Sequence, residues 1–434
     1  MARQLSFTRL REQLSRVCGR LPDVRRGQNT QYAVGDAALA AFTCFFLQSP
    51  SFLAFQNRME AHQGRNNARS IFGVQRVPTD DQIRNLLDPV PPQRLASPFW
   101  AIYRDLEASR ALADYRSEGT LLCSLDGTRY FDSWTVHCDQ CSTTATEKGL
   151  LYYHAVLMPA LVRPGSAEVI VLEPEFILPQ DGAEKQDCES AAAKRWLRRQ
   201  APRFARSTVT ILGDDLYCNQ PLCQLLVDLG FHFILTCKPD SHPALYEDIA
   251  GLARLGAVAQ AEQRVWTGHG HERRTYRWVT DVPLRAEAPS LLVNWCEITI
   301  VDEATGAITY RNAYATDHDM TEQTVQSVVR QGRCRWKIEN EDINVLKNHG
   351  YHLEHNYGHG AQHLSTVLVL LTLLAFLWHT VLQLVDEQYQ QVRKALGARQ
   401  AFFDDLRALT RYLFFESWQH LIFFMLSDRP HAPN

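Results

Sequence analysis

Apolar positions recur at helical spacing up to about residue 115 and at strand spacing beyond it, so the chain reads first as helices and then as an α/β unit. Residues 7–21 are amphipathic, and 34–47 (VGDAALAAFTCFFL) predicts a small-residue, apolar helix. The stretch 62–92 is more polar. Residues 64–67 have loop composition, Pro78-Thr79 followed by Asp80 and Asp81 marks a helix entry, and Pro89 marks its stop. From Gly119 the period shortens. The runs 121–131 (LLCSLDGTRYF), 150–162 and 168–178 predict three consecutive antiparallel strands. A helix over 187–204 has acids in its first turn and arginines in its last, as the helix dipole favours. A strand at 208–212, a helix at 220–229 and a strand at 231–237 complete a mixed sheet with flanking helices.

Residues 239–320 interrupt this unit with a short helix and strand-like runs at 264–279, 291–301 and 308–315. Helical, basic sequence follows at 321–347, then a YGHG break, an apolar helix over 364–385 and helical sequence to about 426. The expected organisation is a helical N-terminal domain (1–115), an α/β core in two parts (116–238 and 321–385) around a β-rich insertion (239–320), and a helical tail (386–434).

Composition narrows the class. The chain has 434 residues, 45% hydrophobic and 21% charged, as expected of a globular protein with a large core. A net charge of -3 gives no overall basic footprint, so nucleic-acid binding has to rest on local patches. Two are present. Residues 1–26 carry Arg3, Arg9, Arg11, Arg16, Arg20, Arg25 and Arg26 against Glu12 and Asp23, and 194–206 holds basic residues without an acid. Eleven irregularly spaced cysteines fit a reducing cytosol better than a secreted disulfide scaffold, and the N-terminal sequence lacks the pattern of a secretory signal. The 364–385 helix is long enough to span a membrane, but its Ser, Thr, His and Gln residues predict a buried core helix, so no membrane partner is expected.

The chemistry concentrates in 333–360, RCRWKIENEDINVLKNHGYHLEHNYGHG. A helix starting near Gly332 puts Arg335, Glu339 and Ile343 on one face, which by itself describes no more than a surface ion pair. Upstream, Asp126 lies in the first strand and Asp214 at the end of the fourth, where a strand's carboxyl end opens toward a crevice. If these strands are neighbours the two carboxylates meet. Glu339 then completes a set of three oxygen ligands, the kind that holds one or two Mg²⁺ ions for phosphoryl transfer. Cys138-Asp139-Gln140-Cys141 has the spacing of half a zinc site but no second pair like it, so it reads as a loop with two free thiols and leaves metal binding open. His349, His352, His355, His359 and His363 are dense enough for a metal site, though phosphate contacts or caps suit them equally. No P-loop, dinucleotide fingerprint or G-x-S-x-G occurs.

Together SLDGTRYF, ILGDDLYCNQP and RWKIENEDINVLKNHGYHLEHNYGHG resemble the DDE transposases of bacterial insertion sequences, in particular the group with a β-rich insertion and a Tyr, Arg, Glu, Lys signature around the glutamate. The resemblance spans about 35–380 and implies an RNase H-like catalytic core. It also implies cleavage at the element's ends followed by strand transfer to target DNA. By matched position it assigns Asp126, Asp214 and Glu339 as catalytic metal ligands for Mg²⁺, with Mn²⁺ as a substitute. Arg335 and Lys347 become DNA contacts, and Asp214 is preferred over Asp215 by the D-x-x-Y pattern ending at Tyr217. The implied partner is double-stranded DNA, both element ends and target, with a homodimer on DNA and a bacterial cytoplasmic, nucleoid-associated location. Trp266 and Trp295 in the insertion are candidates for stacking on a flipped base, with core packing as the alternative role. This chain departs from the signature at Gly332, where a tyrosine is expected, and at Lys347, one residue farther from Glu339 than the pattern asks. The alternative is a transposase-derived DNA-binding protein that does not cut.

Overall fold

The computed structural model describes residues 5–27, 30–179 and 188–427. Its organising element is a long strand, β2 (Thr120–Ser133), which is buried from Thr120 to Leu125 and becomes partly accessible at Asp126. That burial follows from its central place in a mixed sheet. Strand β2 pairs antiparallel with β4 (Gly149–Val162), and β4 pairs antiparallel with the short strands β5 (Ile170–Val171) and β6 (Glu175–Ile177). On its other side β2 pairs in parallel with β7 (Val209–Gly213), and β7 in parallel with β8 (His232–Thr236). The crossover from β6 to β7 is helix α7 (Glu189–Gln200) and that from β7 to β8 is helix α8 (Gln220–Leu229), the helical connections that parallel strands require.

Two expectations change here. The third strand is two short pieces rather than one run over 168–178. An additional strand, β3 (Ser142–Thr146), forms a hairpin with β4, while β1 (Arg116–Ser117) adds a short pairing to β2. The start of the helix expected over 187–204 lies partly outside the described residues.

The insertion forms strands as expected, but they extend the same sheet. After α9 (Pro243–Arg254), the strands β9 (Ala259–Trp266), β10 (His271–Pro283), β11 (Leu292–Asp302) and β12 (Ile308–Thr316) run as a meander whose last member pairs with β8. The result is one sheet of twelve strands with helices against it.

The N-terminal helices are α1 (Phe7–Cys18), α2 (Val34–Phe46), α3 (Phe52–Glu60), α4 (Gly64–Ser70), α5 (Asp80–Leu87) and α6 (Ser97–Ala108). Thr79 caps α5 by accepting from the amide of Gln82, and the helix ends before Pro89, as expected. Residues 64–67, expected as loop, are helical instead. Asn67 explains this: its amide donates to Thr410 O and Leu413 O, and its carbonyl accepts from the amide of Phe415, so tertiary contacts overrule local composition.

After β12 come α10 (Val325–Arg333), a π-helical turn (Ile338–Ile343), α11 (Asn344–Asn348), α12 (Leu364–Val385), α13 (Glu387–Leu396), α14 (Arg399–Tyr412) and α15 (Trp418–Ser427). Helix α12 is the only described helix long and apolar enough to cross a membrane, and 89% of its most apolar stretch is buried inside the protein. Its cover is the N-terminal and C-terminal helices together. Phe42 of α2 lies 4.6 Å from Trp378, and Phe7 of α1 stacks on Trp418 of α15 at 4.4 Å. His379, in the middle of α12, is held neutral by burial, donating through Nε2 to Phe46 O and accepting at Nδ1 from the Tyr389 hydroxyl.

Candidate active site

Strand register brings the two aspartates together. Ser124 lies opposite Leu212 across the parallel β2–β7 pair, so two residues farther on Asp126 comes level with Asp214, just beyond the end of β7. Asp214 stands just past the carboxyl end of β7, where open α/β sheets form crevices, while Asp126 lies mid-strand in β2 beside it. The π-helical turn packs against β2, and Ser124 Oγ reaches the carbonyl of Arg335 at 3.4 Å. Glu339, from a third, remote segment, comes near enough for its charge to act on Asp126, but the carboxylate oxygens of Asp126, Asp214 and Glu339 do not all lie within 4.8 Å of one another.

Electrostatics tie these groups into one unit. Burial, followed by the charges of Glu189, Glu339 and Asp214, lifts the Asp126 carboxyl to about 7, while Arg335 opposes the rise. Asp126 also accepts a hydrogen bond from the amide of Gly127 at 3.0 Å. Asp214 accepts from the amide of Leu216 at 2.9 Å. Its neighbour Asp215 faces other partners: the Lys238 amide, the Ser241 hydroxyl and the His242 ring. Of the two, Asp214 is therefore the carboxylate that interacts with Asp126.

Arg335 Nη1 meets Glu339 Oε1 at 2.6 Å, with Arg335 the more buried partner. Burial disfavours the charge on Arg335, and Glu339 with Asp126 and Asp214 more than restores it. Lys347 is placed differently. Its Nζ pairs with Glu354 at 2.6 Å.

The helix expected from near Gly332 is also different in detail. Helix α10 ends at Arg333, and the Glu339 segment carries a π turn, a one-residue expansion that recurs at functional sites. This turn puts Asp342 fully inside, where neither carboxylate oxygen has a hydrogen-bond partner; burial, and then the charge of Asp126, push its carboxyl far above the usual range. At Gly332 a Cβ would fall 2.7 Å from the ring of Tyr314 and 3.0 Å from Ile234. The tyrosine of the signature has no room there because Tyr314 of β12 occupies the space.

Two acids were missed from sequence. Glu189, read only as a first-turn helix acid, accepts from the Tyr217 hydroxyl at 2.5 Å, and burial together with the Asp214 charge raises its carboxyl. A Cβ at Gly127 would sit 2.2 Å from its Oε2, so glycine after Asp126 makes the room Glu189 takes. Asp342 carried no signal beyond its place three residues after Glu339. The two tryptophans separate as well: Trp295 is buried against Tyr246, whereas Trp266 is 60% exposed. Near the site, Trp336 is 63% exposed.

The basic patches are only partly available. Glu173 and Glu175 accept from Arg195 and Arg199 in the 194–206 patch, and Arg203 lies over the Trp100 ring. A cavity of about 580 Å³ beside α10 is lined by Arg274, Arg330, Arg333 and Lys337. Compared with known proteins, the chain matches no protein-family model, and no curated protein matches it in sequence.

Proposed function

We propose that this chain is a DDE transposase that cleaves DNA at the ends of an insertion sequence and joins the freed strand to target DNA. The observation that carries the proposal is the level placement of Asp126 and Asp214 across the parallel β2–β7 pair, with the turn that bears Glu339 packed against β2. The strand order supports it: three antiparallel strands beside two parallel ones, with helical crossovers, is the order of an RNase H-like core.

The donor set fits Mg²⁺, since all ligands are oxygens, and burial together with the neighbouring carboxylates favours a proton on Asp126 that a cation would replace. Asp126, Asp214 and Glu339 would hold the ion, with Mn²⁺ as a substitute. When bound, Mg²⁺ supplies an activated water or 3′-hydroxyl and stabilises the leaving oxygen. Arg335 sits where it can take a DNA phosphate in place of Glu339, and the cavity lined by Arg274, Arg330, Arg333 and Lys337 offers cations for the flanking backbone.

The test is a nicking and strand-transfer assay with Mg²⁺ on DNA carrying the repeats that flank the coding region. Wild-type protein is expected to cut, and Asp126→Ala, Asp214→Ala and Glu339→Ala to bind the same DNA without cutting it. Binding without cleavage by the wild type would instead favour the transposase-derived DNA-binding protein. Cleavage that survives all three substitutions would sink the catalytic assignment.

A further inference from the structure

Four potential soft-metal ligands from three separate stretches converge away from the acidic cluster. Cys138 and Cys141 lie in the connection between β2 and β3, His154 is on β4, and His359 is in the glycine-rich segment that follows α11. Their ligand atoms all lie within 4.8 Å of one another. The two sulfurs are 3.9 Å apart, His154 Nε2 is 3.6 Å and 3.5 Å from them, and His359 Nε2 is 3.6 Å from Cys141 Sγ. A tetrahedron with ordinary zinc–sulfur and zinc–nitrogen bonds needs about 3.8 Å between sulfurs and about 3.5 Å from sulfur to nitrogen. The sulfur separation is also far too long for a disulfide.

The surroundings are those of a built centre. Cys141 is 6%, His154 2% and His359 9% exposed. The chain turns tightly between the cysteines, with the Cys141 amide donating to Cys138 O, and the Cys138 amide donates to Cys141 Sγ at 3.4 Å, where it supports charge on the sulfur. Neither histidine Nδ1 has a hydrogen-bond partner, so packing sets the ring orientations. His154 stacks on Tyr130 at an interplanar angle of 7°, and His359 lies 4.3 Å from the Phe131 ring.

We propose that Cys138, Cys141, His154 and His359 bind one zinc ion in a closed, four-ligand structural centre that fastens the segment after the Glu339 turn to the β2–β4 ribbon. Thiolate and imidazole ligands select zinc over Mg²⁺, and four protein ligands leave no open position for chemistry. Of the five clustered histidines only His359 enters this site.

The test is metal analysis of the full chain purified under reducing conditions without chelator. One zinc per chain is expected, falling at least fivefold in Cys141→Ser and His359→Ala and staying unchanged in Asp126→Ala. If the first two variants do not fold, wild-type protein loaded with Co²⁺ decides: the strong visible absorption and sulfur-to-cobalt charge-transfer bands of a tetrahedral two-sulfur, two-nitrogen site are expected. Wild-type protein that holds well under one zinc and gives no such cobalt spectrum overturns the proposal. Zinc that is lost with Asp126 and kept without Cys141 also overturns it.

Discussion

The β2–β4 ribbon carries two ligand clusters, and they are built on opposite principles. At Asp126 the groups are oxygen donors of like charge, partly accessible, with the Asp126 carboxyl lifted to about 7 by burial first and then by the charges of Glu189, Glu339 and Asp214. A few residues along, Cys138, Cys141, His154 and His359 are soft donors, mostly buried and fixed by aromatic packing. In the proposed function, the repulsion within the first cluster is what a bound cation would relieve. The second is a closed set that stabilises the fold once filled. The contrast teaches that burial and ligand type, rather than the number of ligands, separate a site built for turnover from one built for rigidity.

The largest expected difference is in activity. Alanine at Asp126, Asp214 or Glu339 should lower DNA cleavage by on the order of 10³-fold or more. For Asp126→Ala and Asp214→Ala the melting temperature should hold or rise, because removing one of several like charges relieves repulsion, whereas Glu339→Ala also takes away the partner of Arg335 and should lower it. A fall in melting temperature comparable to that of the Cys141 variant would make the acidic cluster structural and erase the distinction.

Next in size is the stability of the soft cluster. Cys141→Ser, or stripping the metal with a chelator, should remove several kcal/mol of folding free energy, since the free energy of binding a structural zinc is folding free energy. Differential scanning calorimetry with and without chelator reads this directly. An unchanged transition would mean that the fastening role is wrong.

A smaller effect is confined to pH. The Asp126 carboxyl titrates at about 7 in the folded chain and near 4 when unfolded. Between those values the native state holds a proton that the unfolded chain releases, so this contribution to stability is present at low pH and is lost as pH rises through 7. Asp126→Asn removes the titration. It should leave stability at pH 4 nearly unchanged and raise it at pH 8 by roughly 1–3 kcal/mol, with partial solvent screening taken into account. Urea unfolding at the two pH values, without added Mg²⁺, measures the difference; equal shifts at both would separate Asp126 from its acidic neighbours.

How much of this was legible in the sequence follows the range of the forces involved. Helix α8 and helix α12 have the bounds their apolar periodicity gives, and β2, β4, β7 and β8 fall within a residue or two of their predicted runs, because local pattern matches burial there. The level placement of Asp126 and Asp214 follows from parallel pairing of the first and fourth strands, which the α/β order allowed but did not require. Helix α4 was hidden because Asn67 answers to residues more than three hundred positions away. The π turn was hidden because no local residue type announces it. The soft cluster was hidden because a C-x-x-C with no second pair nearby gives no hint that His154 and His359 will arrive from β4 and from beyond the glutamate turn.

The smallest expected effect tests the edge of the acidic cluster. Arg335 and Lys347 both belong to the signature that the sequence resembles, and both are cations with a carboxylate partner, but their settings differ. Arg335 is partly buried and feels Asp126 and Asp214 as well as Glu339, so its charge is coupled to the site. Lys347 is paired with Glu354, a residue 56% exposed, and such surface pairs contribute about 0–1 kcal/mol. Lys347→Met should therefore change DNA affinity less than about twofold at physiological salt, within the worth of a single screened phosphate contact. On the proposed function, Arg335→Met should reduce cleavage much more than it reduces binding, since it removes the counter-charge that opposes the rise at Asp126. Matched filter-binding and cleavage assays on the two variants decide. Equal losses would place Lys347 at the site after all and move the boundary of the acidic cluster past α11.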